Sequence, residues 1–367
     1  MTDAIVIGGG AVGLTTARAL RLRGLSVTLL ERTQPGRAAS WASAGIVSDP
    51  VGRGDEPGFQ LDALSRRLWP AFAEALQVES GMDPELRETG CLMPALDDGE
   101  AHDLARILRL GYVTGGRLLQ GAVLRDAEPV LSPAIEAAIW RPGGNVDNRR
   151  LCKALEISVR RLGVEIRTSS EVRTIVTENG RVSGVALSDD RLTADLVVAA
   201  AGAWSGQLAG DLRLPIVPQR GQILALDRGP VNLRHVILAS DDPYLVPRAD
   251  GRIVVGATRE FAGWDPSHTA AGIAGLLTRA IRIVPAFADR PIQEMWTGFR
   301  PISPDGIPLI GPGQAEGLFI CTGHGPHGIS PLPGTIALLS ALIFDEESPI
   351  PSEAFRPGRF AAGEGRR

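Results

Sequence analysis

The chain has little lysine and cysteine, and these shortages exclude two kinds of chemistry. Lys153 is the only lysine in 367 residues, and its helical surface pattern argues against a pyridoxal phosphate enzyme, which needs a Schiff-base lysine. Cys91, Cys152 and Cys321 are widely separated and odd in number, so they offer neither a disulfide framework nor a CxxC metal motif. We therefore expect no metal site and a reducing, cytoplasmic environment.

The chain also lacks long apolar runs and any strong excess of charge. No stretch approaches the length that spans a bilayer. The early apolar segment from Ala4 to Leu14 contains four glycines and follows no basic region, so it predicts a strand and a turn rather than a signal peptide. With a formal net charge of -4, the composition is typical of a globular protein and indicates no nucleic acid partner.

The N-terminus carries a glycine pattern that is typical of dinucleotide binding. Gly8, Gly10 and Gly13 have the spacing G-x-G-x-x-G, directly after a predicted strand and at the start of a predicted helix. Such a site needs a tight turn, close approach of the backbone to a pyrophosphate, and the positive end of a helix dipole. Glu31, at the end of the next strand, is placed to accept ribose hydroxyls. The pattern does not separate NAD from FAD.

The order of strand and helix patterns predicts an α/β (α+β) protein of two interleaved domains. Asn179-Gly180 predicts a hairpin turn, residues 48–140 look helical, and residues 213–300 look rich in strands. We expect a discontinuous, Rossmann-like cofactor domain made of residues 1–47, 141–212 and 301–367. A substrate domain with an antiparallel sheet would take residues 48–140 and 213–300.

Two further segments favour a flavin over a nicotinamide. Gly36–Val47 is a loop of small residues that lets backbone amides approach a ring or a phosphate, although a plain flexible loop would look the same. The last glycine turn, residues 321–328, joins strand Leu318–Cys321 to helix Pro333–Phe344. Amides and a helix N-terminus there would stabilise the negative charge of a reduced flavin. His324 and His327 are each better explained as structural, and neither is assigned a proton transfer.

Arg300 and Tyr244 are the candidate substrate-binding residues. Arg300 follows Trp296-Thr297-Gly298-Phe299, an apolar setting for a guanidinium. Arginine binds a carboxylate through two parallel hydrogen bonds, which fix its orientation. The alternative for Arg300 is a surface ion pair. The Tyr244 hydroxyl would close the pocket, and the alternative is a tyrosine packed in the core.

On these residues the chain resembles the family of FAD-dependent amino-acid oxidases, the DAO family. This family includes glycine oxidase, D-amino acid oxidase, sarcosine oxidase and D-amino acid dehydrogenase. The resemblance extends over nearly the whole chain, and glycine oxidase is the nearest branch. Beyond the glycine fingerprint with Glu31, it rests on Ser40–Val47, Ala199–Trp204, Tyr244–Arg248, and residues 298–311 and 322–329.

The resemblance implies the cofactor and the residues that hold it. Arg300 would bind the substrate carboxylate with Tyr244 beside it. The sarcosine oxidase branch attaches its flavin through a cysteine where this chain has Gly298, so the FAD is expected to be noncovalent. The residues expected to contact FAD are Gly8, Gly10, Ala11, Val12, Gly13, Glu31, Arg32, Ala39, Ser40, Ala44, Gly45, Ile46, Val172, Gly202, Gly323, His324, Pro326, His327, Gly328, Ile329 and Ser330.

The resemblance also implies the reaction. It is oxidation of the C–N bond of a small or N-substituted amino acid, of the glycine, sarcosine or D-amino acid type, by hydride transfer to flavin N5. The imine product would hydrolyse to an oxo acid and an amine or ammonia. One departure concerns the substrate: glycine oxidases tend to have Phe-Arg-Asn where this chain has Gly325-Pro326-His327, so a second arginine is missing there.

Three alternatives stay open at this point. The first is a dehydrogenase subunit of the opine oxidase, hydrogen cyanide synthase or D-amino acid dehydrogenase type, which would pass electrons to a partner or a quinone and could lie at the membrane periphery. The second is an NAD-dependent dehydrogenase, and the third is a non-catalytic flavin subunit. The expected partners are an amino acid substrate, oxygen or another electron acceptor, and either a second copy of the chain or an electron-transfer complex.

Overall fold

The computed structural model describes residues 2–208, 214–240 and 243–360. The predicted domain limits at residues 1, 212, 213 and 367 lie outside these ranges, and the division into domains stays a prediction. The described strands are β1 (Ala4–Ile7), β2 (Val27–Leu30), β3 (Ile46–Ser48), β4 (Cys91–Pro94), β5 (Arg117–Gln120), β6 (Ala137–Arg141), β7 (Gly143–Asn145), β8 (Glu165–Arg167), β9 (Thr174–Glu178), β10 (Arg181–Ala186), β11 (Arg191–Thr193), β12 (Leu196–Ala199), β13 (Val217–Asp227), β14 (Val236–Leu238), β15 (Tyr244–Pro247), β16 (Arg252–Gly256), β17 (Ile292–Ile302), β18 (Leu309–Pro312) and β19 (Leu318–Thr322).

The helices alternate with the strands at both ends of the chain and lie between groups of strands in its middle. They are α1 (Ala11–Leu22), α2 (Ala39–Ala42), α3 (Pro57–Ser80), α4 (Asp98–Arg109), α5 (Gly121–Ala127), α6 (Asn148–Arg161), α7 (Ala270–Ile283) and α8 (Leu332–Ile343). Short 3₁₀ turns cover Gly202–Gln207, Pro285–Asp289, Gly325–His327, Glu353–Phe355 and Pro357–Phe360.

A six-stranded sheet in the order β18-β19-β12-β1-β2-β8 confirms the predicted Rossmann-like layer. Every neighbouring pair in it is parallel except β18 with β19. Leu14, Ala17 and Leu20 recur at helical spacing on α1 and are buried in the core of this layer. Because the strands are parallel, the ends of β1 and β2 meet at one edge, where the first glycine turn and Glu31 follow them.

A small three-stranded sheet, β11-β10-β9, contains the predicted hairpin. Strands β9 and β10 pair antiparallel, and the turn between them has positive φ at Asn179 (52°) and Gly180 (78°). Two consecutive left-handed residues match the right-handed twist of a hairpin, which is why Asn-Gly is favoured there. The prediction of this hairpin is confirmed.

The second large sheet has eight strands in the order β17-β13-β16-β15-β14-β4-β6-β5, and all neighbours are antiparallel except β14 with β4. The predicted antiparallel layer is therefore confirmed, but the helical prediction for residues 48–140 was wrong in part. Strands β4, β5 and β6 come from that segment. They have only four or five residues, and such short apolar runs cannot be told from buried helix by periodicity.

The segment Gly36–Val47 is more ordered than the predicted loop. It contains the one-turn helix α2 and ends in β3, which pairs antiparallel with β7. Small side chains remain necessary, because a Cβ on Gly36 would lie 2.7 Å from the Cβ of Cys152. The chain therefore presses this segment tightly against α6.

The described residues contain neither a membrane-spanning helix nor a metal-binding cluster. Across the described ranges, every helix is too short or too polar to cross a lipid bilayer. The same part of the chain has no group of three or more histidine, cysteine, aspartate or glutamate side chains arranged to hold a metal ion.

Candidate active site

A cavity of about 590 Å³ is lined by residues of both large sheets. Its wall includes Ile7 at the end of β1 and Arg300 on β17. All of the residues predicted to bind FAD or the substrate line this cavity, except Ala11, Gly13 and Gly323. Residues that are up to about 300 positions apart in sequence therefore share one wall.

The first glycine turn is shaped for close approach of a phosphate. Gly8 has a φ of 104°, a conformation that side-chain-bearing residues rarely adopt. A Cβ on Gly13 would overlap the carbonyl oxygen of Gly8, so Gly13 serves the packing of α1 and lies behind the cavity surface. The amide of Ala11 donates to Ser40 Oγ at 2.9 Å, which ties the start of α1 to α2. This cradle fits a pyrophosphate at a helix N-terminus.

Glu31 and Arg32 line the cavity beside the first glycine turn. Glu31 Oε2 accepts the Gly9 amide at 2.8 Å, and Oε1 accepts the Thr33 amide at 2.8 Å. The carboxylate is thus held in one orientation beside the glycine turn. The guanidinium of Arg32 lies 3.7 Å from the centre of the Trp204 ring, a cation–π contact that closes this part of the wall.

Arg248 organises the segment that was predicted to border the flavin, a role that was not predicted. It is 4% exposed and donates to the carbonyls of Val146 at 2.6 Å and Ala44 at 2.8 Å, and to Asn148 Oδ1 at 2.8 Å. Asn148 Nδ2 in turn donates to the Ser40 carbonyl at 2.9 Å. Burial lowers the pKa of Arg248, but these three acceptors satisfy the guanidinium. Its place in Tyr-Leu-Val-Pro-Arg was the only sequence signal for it.

The last glycine turn lies against the same cavity, and its two histidines differ. His324 Nε2 is 3.2 Å from Thr335 Oγ1, and burial lowers the pKa of His324 to about 4. This buried, neutral side chain fits the structural interpretation. His327 faces the cavity, and its pKa is lowered by burial and then by the positive charges of Arg259, Arg141 and Arg300. Gly323 has a φ of 79° and shapes the turn behind the cavity surface.

Arg300 is fixed by the backbone of the substrate-domain sheet. Its Nη1 donates to the Thr258 carbonyl at 2.9 Å and to Gln219 Oε1 at 3.4 Å. A Cβ on Gly221 would lie 2.7 Å from the guanidinium, so the absence of a side chain there makes room for it. Glycine likewise makes room for Tyr244, because a Cβ on Gly256 would lie 2.6 Å from Tyr244 Cζ. Arg300 and Tyr244 therefore lie over glycines of neighbouring strands.

Several polar cavity residues were missed in the sequence, among them Arg141, Arg259 and Asp62. Burial raises the pKa of Asp62 to about 7, and the charge of Arg141 opposes this shift. Arg141 ends strand β6, directly after the segment 48–140 that was interpreted as helical. No sequence signal marked Asp62, which lies on the long helix α3.

Gly298, the position that aligns with the flavin-binding cysteine of the sarcosine oxidase branch, is closed to a larger side chain. A Cβ on Gly298 would lie 2.6 Å from the Cβ of Ala42 on α2. No thiol is available at Gly298, and α2 lies where one would have to fit. The residues that line the cavity thus fit an FAD held without a covalent bond at this position.

Comparison with known proteins identifies the family. Residues 3–342 match the family profile DAO, described as FAD dependent oxidoreductase. The chain belongs to the DAO family. It is therefore an FAD-dependent oxidoreductase, and the NAD-dependent alternative and the non-catalytic alternative are excluded.

Curated relatives and solved structures agree with this assignment. The chain is 36% identical to glycine oxidase of Pseudomonas aeruginosa over 96% of its own length and 98% of the relative's. It is 36% identical to the bifunctional protein ThiO/ThiG of Synechocystis over 98% of its length but only 54% of the relative's, so it spans about half of that longer protein. The crystal structure of glycine oxidase from Geobacillus kaustophilus superposes with a TM-score of 0.92 at 29% identity, covering 98% of both chains.

Proposed function

We propose that this enzyme oxidises the C–N bond of a small amino acid or an N-substituted amino acid, giving an imine that hydrolyses to an oxo acid and an amine or ammonia. The observation that carries the proposal is Arg300, a guanidinium fixed by Thr258 in the wall of the cavity that the glycine cradle also lines. Similarity to proteins named glycine oxidase supports an amino acid as the substrate.

In this proposal Arg300 positions the substrate by binding its carboxylate. Two parallel hydrogen bonds from one guanidinium fix both the place and the rotation of the carboxylate, and therefore the direction of the Cα–H bond. The Tyr244 hydroxyl offers a further hydrogen bond at the same wall. When bound, FAD accepts the hydrogen and the two electrons that leave the substrate.

The proposed hydride transfer requires no protein base, because the electrons and the hydrogen leave the substrate together. Burial lowers the pKa of His324 to about 4, so its imidazole is neutral near pH 7. We assign His324 no proton transfer in this step. The amine must enter uncharged, and water then hydrolyses the imine. The protein contributes orientation and an enclosed cavity, which fits a reaction whose chemistry belongs to the cofactor.

The electron acceptor divides the proposal into two forms. Oxygen as acceptor makes the enzyme an oxidase, which the similarity to glycine oxidases favours. A quinone or a partner subunit would make it a dehydrogenase, and similarity to a hydrogen cyanide synthase subunit keeps that form as the second candidate. Turnover in air with and without an artificial dye separates the two forms.

Anaerobic mixing with a substrate panel tests the proposal directly. The purified, FAD-loaded protein is mixed with glycine, sarcosine, proline, D-amino acids and opines, and the visible absorbance of the flavin is followed. We expect at least one of these amines to bleach the flavin rapidly. If none of them does so while dithionite does, the enzyme is not an amino acid oxidase or dehydrogenase.

A further inference from the structure

Arg141 is a buried guanidinium in the cavity wall that the proposed function does not use. It is 7% exposed and lies at the end of β6. One of its terminal nitrogens donates to the neutral backbone carbonyl of Asp49, and its Nε is buried without a hydrogen-bond partner. A buried charge normally has a counter-ion, because burial without one costs several kcal/mol. Whether Arg141 can bind an anionic ligand therefore depends on whether a neighbouring carboxylate already neutralises its charge.

The two nearest carboxylates do not neutralise Arg141. The Asp49 carboxylate accepts from Arg66 Nε at 2.8 Å and is committed to that ion pair. Burial raises the pKa of Asp62 to about 7, so this carboxyl carries only part of a charge near neutral pH. Among the described carboxylates, none lies within ion-pair distance of Arg141.

The positive charge of Arg141 acts at the same place as that of the substrate arginine. Arg141, Arg259 and Arg300 all line the cavity, and all three lower the pKa of His327, in addition to the effect of its burial. Arg259 directly follows Thr258, the residue whose carbonyl holds Arg300. Because all three guanidiniums shift the pKa of the same histidine, they lie around the same part of the cavity. A ligand that uses Arg300 for one carboxylate therefore has further cations within reach.

We propose that the preferred substrate is an amino acid with a second carboxylate, which Arg141 binds with Arg259 beside it while Arg300 binds the first. This inference rests on the proposed function and narrows its substrate class. It also accounts for the turn Gly325–His327, where an arginine is absent: the additional cations come from β6 and from the segment that follows β16 instead.

Binding of substrate analogues tests the inference without any turnover. The FAD-loaded enzyme is titrated with succinate and with butyrate, which share a four-carbon chain, and the shift of the flavin spectrum gives each Kd. A second charge-assisted contact makes succinate, or its longer homologues glutarate and adipate, at least about tenfold tighter than the matched monocarboxylate. Equal affinities for the dicarboxylates and monocarboxylates would overturn the inference.

Turnover of a matched pair of amines provides the second test. Iminodiacetate and sarcosine differ only in a carboxylate that replaces a hydrogen on the N-methyl group, and neither is chiral. We expect a higher kcat/KM for iminodiacetate than for sarcosine. In Arg141→Met the ratio of the two values should fall at least about tenfold, and Arg282→Met, an exposed arginine that lies outside the cavity, should leave the ratio unchanged.

The outcomes separate this inference from the proposed function. Arg259→Met replaces Arg141→Met if the latter variant does not fold, and a fall in the same ratio is expected. Rapid bleaching by sarcosine with no preference for iminodiacetate would refute only the second carboxylate site. Absence of bleaching by every amine, with succinate still bound more tightly than butyrate, would refute the proposed reaction and retain the dicarboxylate site.

Discussion

Replacing Arg300 with leucine tests the step on which the proposed reaction depends. The guanidinium lies over Gly221 and is held by the Thr258 carbonyl at 2.9 Å, so its fork is fixed before a substrate arrives. Two charge-assisted hydrogen bonds to a carboxylate contribute about 1.5–3 kcal/mol each, or about 3–5 kcal/mol together after non-additivity. At about 1.4 kcal/mol for each factor of ten, Arg300→Leu should lower kcat/KM by about 10²–10⁴-fold.

Two comparisons show whether the loss is due to binding of the carboxylate. Arg300→Lys keeps the charge but loses the planar fork, so its kcat/KM should lie between those of the wild type and Arg300→Leu. Arg282→Leu changes an arginine that donates to the Leu96 carbonyl outside the cavity and should have no effect on kcat/KM. All three variants should purify with bound FAD, because Arg300 contributes nothing to the glycine cradle.

Steady-state kinetics with the best amine of the panel is the assay, and the flavin spectrum with the thermal midpoint of unfolding is the control. Loss of Arg300 also removes a donor from the Thr258 carbonyl, which costs about 1 kcal/mol of stability and about 1–2 °C in Tm for a chain of this length. A folded, yellow Arg300→Leu protein whose kcat/KM is within threefold of the wild type would show that another residue holds the carboxylate.

Two further perturbations test the cradle and the cavity. In Gly13→Ala the new Cβ would overlap the Gly8 carbonyl oxygen, so we expect a protein that purifies without FAD, whereas Gly58→Ala, with open space around its Cβ, should keep it. In Asp62→Asn we expect stability to depend less on pH. The unfolded chain releases the Asp62 proton near pH 4 and the folded chain near pH 7, so the wild type loses stability as the pH rises between these values. Urea unfolding at about pH 5 and about pH 8 checks this, and identical pH dependence in both proteins would contradict it.

The sequence alone was sufficient where chemistry and local geometry coincide within a few residues. Gly8, Gly10, Gly13 and Glu31 lie within one βαβ unit, so their spacing predicts both the turn and a dinucleotide as its ligand. The hairpin at Asn179-Gly180 was predictable for the same reason, since two positive φ values are a local requirement. The resemblance of motifs then indicated the family.

Local reasoning failed where a strand depends on its neighbours. Strand β6 has only five residues, and its place in the eight-stranded sheet is set by pairing with β4 and β5. Secondary-structure propensity does not predict such pairing, because the same short apolar run also fits a buried helix. Arg141 ends this strand, and it is the cavity residue on which the substrate proposal depends.

Sequence therefore determined that the chain has a dinucleotide turn, a Rossmann-like start and an arginine suited to a carboxylate. Tertiary structure decided which charges share the cavity with that arginine, and that Arg248 ties the segment predicted to border the flavin to the eight-stranded sheet. The physical reason is that the geometry of a turn depends on hydrogen bonds between residues that are close together in the sequence. A cavity wall is assembled from residues that only the packing of two sheets brings together.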